Sequence, residues 1–125
     1  MYLTHANIVD QSAVSYAKLL KVIAAEGLPT HGSDFLQQEV GSFGIRHARD
    51  LKERATGKPL ESNARVFMIK ANAFTEEAQN ALLKLTEDGP DYAYFFFVTP
   101  YPAALIPTFR SRANIIAARD LIASN

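Results

Sequence analysis

The chain has 125 residues, 48% of them apolar and 21% charged, which is room for one hydrophobic core and one domain spanning 1–125. Thirteen lysines and arginines balance thirteen aspartates and glutamates, so wholesale neutralisation of a phosphate backbone is not the expected mode of action. The absence of cysteine excludes a disulfide framework, a thiolate zinc site and a cysteine nucleophile. No apolar run reaches the ~18 residues of a membrane span, and no basic stretch followed by an apolar one opens the chain, so a soluble cytoplasmic protein is expected.

Residues 2–4 read as a short strand. Residues 12–26 read as a helix burying Ala13, Tyr16, Ala17, Leu20, Ile23 and Ala24, and Gly27 and Pro29 end it. A second strand covers 35–40, where Gln37, Gln38 and Glu39 suit a sheet edge. Ile45, Ala48, Leu51 and Ala55 then recur at helical spacing, with Arg46, Arg49, Lys52, Glu53 and Arg54 elsewhere on the cylinder. Residues 65–69 run apolar after one cation, as a strand buried on both faces does. In the next helix Thr75 is the N-cap, Glu76 and Glu77 occupy the first turn, and Ala78, Ala81, Leu82 and Leu85 form the apolar stripe before Gly89 and Pro90. Residues 94–99 make another central strand, 102–111 a short helix or turn interrupted at Pro107, and 113–117 a last strand. Strands separated by helices imply crossover connections. The expected class is α/β, a three-layer fold with a mainly parallel five-stranded sheet flanked by helices.

The usual chemical motifs are missing. His5, His31 and His47 are widely spaced and have no paired carboxylates, so neither a metal nor a cofactor is expected. No G-x-S-x-G elbow or dinucleotide fingerprint is present. Glu87 and Asp88 could be read as a general acid and base, but neighbours at a helix end face solvent in different directions. Residues 41–60 hold five cations against two carboxylates, and 75–91 hold five carboxylates against one lysine. These opposed segments suit solvated faces or a complementary partner better than direct DNA binding, because no aromatic residues interleave the cations.

A resemblance enters at 75–90, where the run 80–84 spells N-A-L-L-K, and continues through the apolar strand to Pro107, Thr108, Ser111 and Arg112. This pattern is similar to the ATPase core of bacterial clamp-loader subunits, the gamma and delta-prime proteins of DNA polymerase III, within the AAA+ superfamily. The family signature is an N-A-L-L-K helix, an acidic turn ending in proline, an apolar strand ending in a small polar residue, and a P-T-x-x-S-R segment. Thr99 falls at that small polar, sensor-like position. The segments at 34–35 and 44–51 resemble the strand and helix before the family's Walker B strand. The resemblance implies an AAA+ core, and the lid and collar domains of the family have no counterpart before Asn125.

The departures bear on function. A P-loop needs glycines to wrap phosphates, a lysine to meet their charge and a hydroxyl for magnesium. With the first strand at 2–4, the G-x-x-x-x-G-K-S/T frame falls on His5, Asp10, Gln11 and Ser12, and the hydroxyl alone survives. Asp10 would then face the phosphates; at an effective dielectric near 20, like charges ~4 Å apart repel by about 4 kcal/mol. The Walker B strand ends in Asp-Glu in active relatives, but here Ile69, Lys70 and Ala71 stand there, and neither register of that pair supplies a carboxylate. The chain is therefore expected not to be an enzyme in cis and not to hold ATP.

The resemblance leaves two readings of Arg112. It is an arginine finger reaching a neighbour's ATP in trans, with Thr108 and Ser111 orienting its loop, or it is an inherited arginine before an edge strand. The expected partners are other clamp-loader-like AAA+ subunits, with DNA contacted at most indirectly. The alternatives are an interaction module that has left replication and binds another protein, and a nucleotide hydrolase with an unfamiliar site.

Overall fold

A computed structural model describes residues 3–116. Its elements in chain order are β1 (Ala6–Asp10), α1 (Tyr16–Ala25), β2 (Phe35–Phe43), α2 (Ile45–Ala55), β3 (Arg65–Phe74), α3 (Glu76–Asp88), β4 (Ala93–Thr99), a 3-10 turn (Pro102–Ala104), α4 (Pro107–Arg112) and β5 (Asn114–Ile116). The strands form one parallel sheet in the order β2-β3-β4-β1-β5, so the expected three-layer α/β architecture is the one observed. The polar strand expected at an edge, β2, lies at one.

Two cores flank the sheet because successive strand residues point to opposite faces. On one face Val9, Val66, Met68, Phe96 and Val98 pack under Leu19, Val22 and Ile23 of α1. On the other, Ile8, Phe67, Ile69, Phe95 and Phe97 pack under Leu51 of α2, Leu82 of α3 and Phe109 of α4. The apolar runs in β3 and β4 are thus buried on both sides, as their composition requires. Thr75 caps α3 by accepting the Ala78 N–H at 3.1 Å, with Glu76 and Glu77 in the first turn. Gly89 stops α3 by close approach, since a Cβ there would lie 2.3 Å from the Leu85 carbonyl oxygen. Among the described residues no helix is long and apolar enough to cross a membrane.

Four expectations are corrected. The first strand is 6–10 and not 2–4; Leu3 and Thr4 are irregular, and residue 2 lies outside the described residues. Asn7 hides the strand pattern. It is fully buried, yet its amide donates to the Thr4 and Phe95 carbonyls at 2.6 and 3.1 Å, so its polarity costs the strand little. The helix expected from residue 12 starts at Tyr16, because Ser15 caps it by accepting the Lys18 N–H. Its buried arc is Leu19, Val22 and Ile23, while Ala13, Tyr16, Ala17 and Ala24 are exposed. The sheet selects the arc with larger side chains, which removes more apolar area from water. Pro107 begins α4 and does not interrupt it, since its missing N–H falls where a helix has no intrahelical partner anyway. β2 and β3 run on to Phe43 and Phe74, extending each other by pairing. Of the last expected strand, 114–116 is observed and residue 117 lies outside the described residues.

Candidate functional site

The topology marks one crevice. β1 is followed by α1 on one face and β4 leads to α4 on the other, so these adjacent strands send their C-terminal connections in opposite directions. Open parallel sheets bind ligands at such a divergence, outside the carboxyl ends of the strands. The residues that meet there are Asp10 and Thr99, paired in register.

The β1–α1 connection closes on itself at the Asp10 side of this crevice, while on the Thr99 side a pocket of about 450 Å³ opens among Asn72, Phe74, Tyr101 and Leu105. Five residues, 11–15, join β1 to α1, and none is glycine. The N–H groups of 11–14 are engaged internally. Gln11 N–H donates to the Thr99 carbonyl at 2.9 Å, and the Ala13 and Val14 N–H groups donate to the Asp10 carbonyl at 3.1 and 3.0 Å. Ser12 donates through both its N–H and its hydroxyl to Asp10 Oδ1, at 3.0 and 2.6 Å. Asp10 therefore closes an Asx turn on itself, with its carboxylate serving the acceptor role that a phosphate would take.

The expected P-loop frame is displaced accordingly. With β1 at 6–10, Asp10 is the last strand residue, and Gln11 and Ser12 alone fall in the connection. His5 precedes the strand at its opposite end, where its ring stacks on Tyr94 at 4.7 Å and Nδ1 lies 2.8 Å from the Ala93 carbonyl oxygen. His5 is thus not brought to Asp10, Gln11 and Ser12.

The Walker B residues lie beside the crevice. Ile69 and Ala71 are buried on the face covered by α2 and α3. Lys70 points to the other face, where its ammonium lies 3.9 Å from Glu39 of β2. Lys70 and Gln11 share a cavity of about 40 Å³ under α1, with the buried Gln11 Oε1 unpartnered. That volume is about a tenth of what small-ligand pockets offer. A wider groove of about 460 Å³, lined by Tyr16, Gln37, Glu39 and Lys70, opens beside it toward the sheet edge. Thr99 is buried; its hydroxyl donates to the Asn72 carbonyl at 3.4 Å and accepts the Tyr101 N–H at 3.3 Å, tying the ends of β3 and β4 together. Among the described residues no three His, Cys, Asp or Glu side chains gather as metal ligands.

Thr108, Ser111 and Arg112 are elsewhere. α4 returns from the carboxyl end of β4 toward the start of β5, which places Arg112 toward the amino edge of the sheet. β5 begins at Asn114 opposite Asn7, three strand residues or about 10 Å before Asp10 at the crevice. Ser111 Oγ donates to the Thr108 carbonyl at 3.0 Å within the helix. Arg112 Nη1 donates to Glu87 Oε1 of α3 at 2.6 Å, with both side chains about half exposed. Glu87 is therefore not simply solvated.

Two further residues escaped the sequence pattern. Gln79 is buried in α3, donating to the Phe74 carbonyl at 2.9 Å and accepting the Ile106 N–H at 2.7 Å, which ties α3 to the start of α4. Its spacing of three from Leu82 was the available signal. Asp34, just before β2, accepts the N–H groups of Leu60, Glu61 and Ser62 at 2.7 to 2.8 Å. Its partners lie 26 to 28 residues away, beyond any local pattern.

The fold and the placement of these motifs agree with a family described as DNA polymerase III, delta subunit, whose model matches residues 10–121. This chain belongs to that family. It is 39% identical over 83 residues to DNA polymerase III subunit gamma/tau of Mycobacterium tuberculosis, covering 65% of this chain and 14% of that protein. It is 35% identical over 72 residues to the delta' subunit of Yersinia pestis, covering 57% and 21%. A crystal structure of a DNA polymerase III gamma subunit-related protein from Thermotoga maritima matches 91% of this chain and 40% of its own, with a TM-score of 0.70 at 25% identity. The chain thus spans a minor part of each relative. The resemblance to clamp-loader subunits at 75–90 and 107–112 is borne out at the level of family and fold.

Proposed function

We propose that the chain is a non-catalytic clamp-loader subunit of the delta-prime kind, which docks on a neighbouring AAA+ subunit and offers Arg112 to that neighbour's ATP. The observation that supports this reading is the division of the molecule. At the carboxyl edge the turn around Asp10 satisfies its own N–H groups, and Arg112 stands ahead of β5, toward the amino edge. An arginine there lies toward the other end of the sheet from its own crevice and would meet the crevice of the next subunit in a head-to-tail arrangement. A guanidinium at that place would stabilise charge spread over the transferring phosphoryl oxygens.

Two results test the reading. ATP with magnesium should leave the thermal midpoint of the isolated chain unchanged; a ligand present at ~100 times its Kd would add about 2.7 kcal/mol, so a clear upward shift refutes this reading. Mixing the chain with a gamma/tau-type ATPase should raise hydrolysis, and Arg112→Ala should remove the gain, since arginine fingers contribute ~10³- to 10⁵-fold in turnover. A gain that survives Arg112→Ala leaves the chain as a docking module in which the arginine is inherited and idle.

A further inference from the structure

We infer that Glu87 is a positioning residue for Arg112, an inference that rests on the reading of Arg112 as a finger in trans. Arg112 is the last residue of α4 and Glu87 lies in the last turn of α3. The six-residue α4 packs alongside α3, and two side-chain ties hold them. At their start Gln79 of α3 accepts the Ile106 N–H ahead of α4. Eight residues further along α3, about 12 Å of helix, Glu87 accepts Nη1 of Arg112 at 2.6 Å.

A guanidinium carries five N–H donors in a planar fork, so one carboxylate oxygen on Nη1 fixes the plane and leaves the other donors for a phosphate. No other hydrogen bond or ion pair engages Arg112 among the described residues. An unpaired arginine with 56% of its side chain exposed would sample many rotamers, and ordering it at the moment of docking would oppose catalysis. Glu87 removes part of that cost beforehand. Because the pair is exposed, the tie is weak enough to yield a shared geometry with phosphate and does not lock the finger away.

The test measures both effects separately. In the isolated chain, the Arg112 Nε–Hε resonance should show restricted motion in its heteronuclear NOE, and Glu87→Ala should bring it to the mobility of exposed Arg46 and Arg49. With a gamma/tau-type ATPase, the stimulated kcat at saturating chain should fall about two- to fivefold for Glu87→Ala, with the half-saturating concentration unchanged. Glu87→Gln keeps an oxygen acceptor for Nη1 and should retain most of the gain. A rise in the half-saturating concentration alone would make Glu87 an interface residue and overturn the inference. So would an Arg112 already mobile in the intact chain, or full stimulation by Glu87→Ala where Arg112→Ala abolishes it. Stimulation unaffected by Arg112→Ala, or absent with the intact chain, refutes the finger itself, while the NMR comparison still decides whether Glu87 orients the guanidinium.

Discussion

Phe97→Ala should cost about 3–5 kcal/mol of stability and lower the thermal midpoint by more than ~10 °C. Phe97 is fully buried in β4, the strand flanked by β3 and β1 at the middle of the sheet. Its ring lies 6.1 Å from Phe95 in parallel, 6.0 Å from Phe74 edge-on and 5.4 Å from Phe109 of α4. Truncation removes contacts to two strands and a helix at once, and a close-packed interior relaxes only in part to refill the space. Against a typical total of about 5–15 kcal/mol, the loss would leave a marginal protein. Phe97→Leu keeps most of the volume and should cost less than ~1.5 kcal/mol. Denaturant melts of the two variants check this, and equal, small effects would contradict the packing around β4.

Asp34→Ala should be the most damaging substitution of a carboxylate among the described residues. Asp34 is buried and accepts three backbone N–H groups from 60–62 as well as the Ser62 hydroxyl at 3.1 Å, with Arg65 Nε at 3.6 Å. Removing it strands those donors and leaves Arg65, whose side chain is 11% exposed, without its counter-ion. Asp50→Ala, which breaks the half-exposed pair with Arg54, should shift the midpoint by no more than ~2 °C and serves as the control.

The same group predicts an acid limb. Burial alone would raise the pKa of Asp34, but the hydrogen bonds from Leu60, Glu61 and Ser62 outweigh it and hold the carboxyl at about 2, below its ordinary 3.8. With the folded value depressed, the stabilisation is fully present above the unfolded value and fades as pH falls from about 4 toward 2. Asp34→Asn should flatten this part of the stability profile, which urea melts between pH 5 and 2 would show. A profile identical to that of the intact chain would contradict the role given to these bonds.

Much of this protein was written in local pattern. The runs in β3 and β4 are apolar at every position because both faces are covered, and α3 declares its own start at Thr75 and its end at Gly89. The motif at 80–84 and the segment at 107–112 carry the family's pattern within single helices and turns. Each of these signals operates over a few residues, within one turn of helix or one step of a strand, and so can be read along the chain.

What the tertiary structure decided are relations between distant residues. β1 escaped detection because Asn7 and Asp10 break its apolar pattern, and both are satisfied by groups that the sheet and the turn bring to them. The phase of α1 was set by which of its two apolar arcs the sheet covers. Asp34 meets its partners across 26 to 28 residues, and Glu87 meets Arg112 across 25. Composition and local motif determined that this is an α/β chain lacking the usual phosphate-binding residues. Strand order and register decided that Asp10 and Thr99 meet at the crevice and that Arg112 stands toward the opposite edge, because hydrogen-bond geometry between remote segments exists only once the sheet has formed.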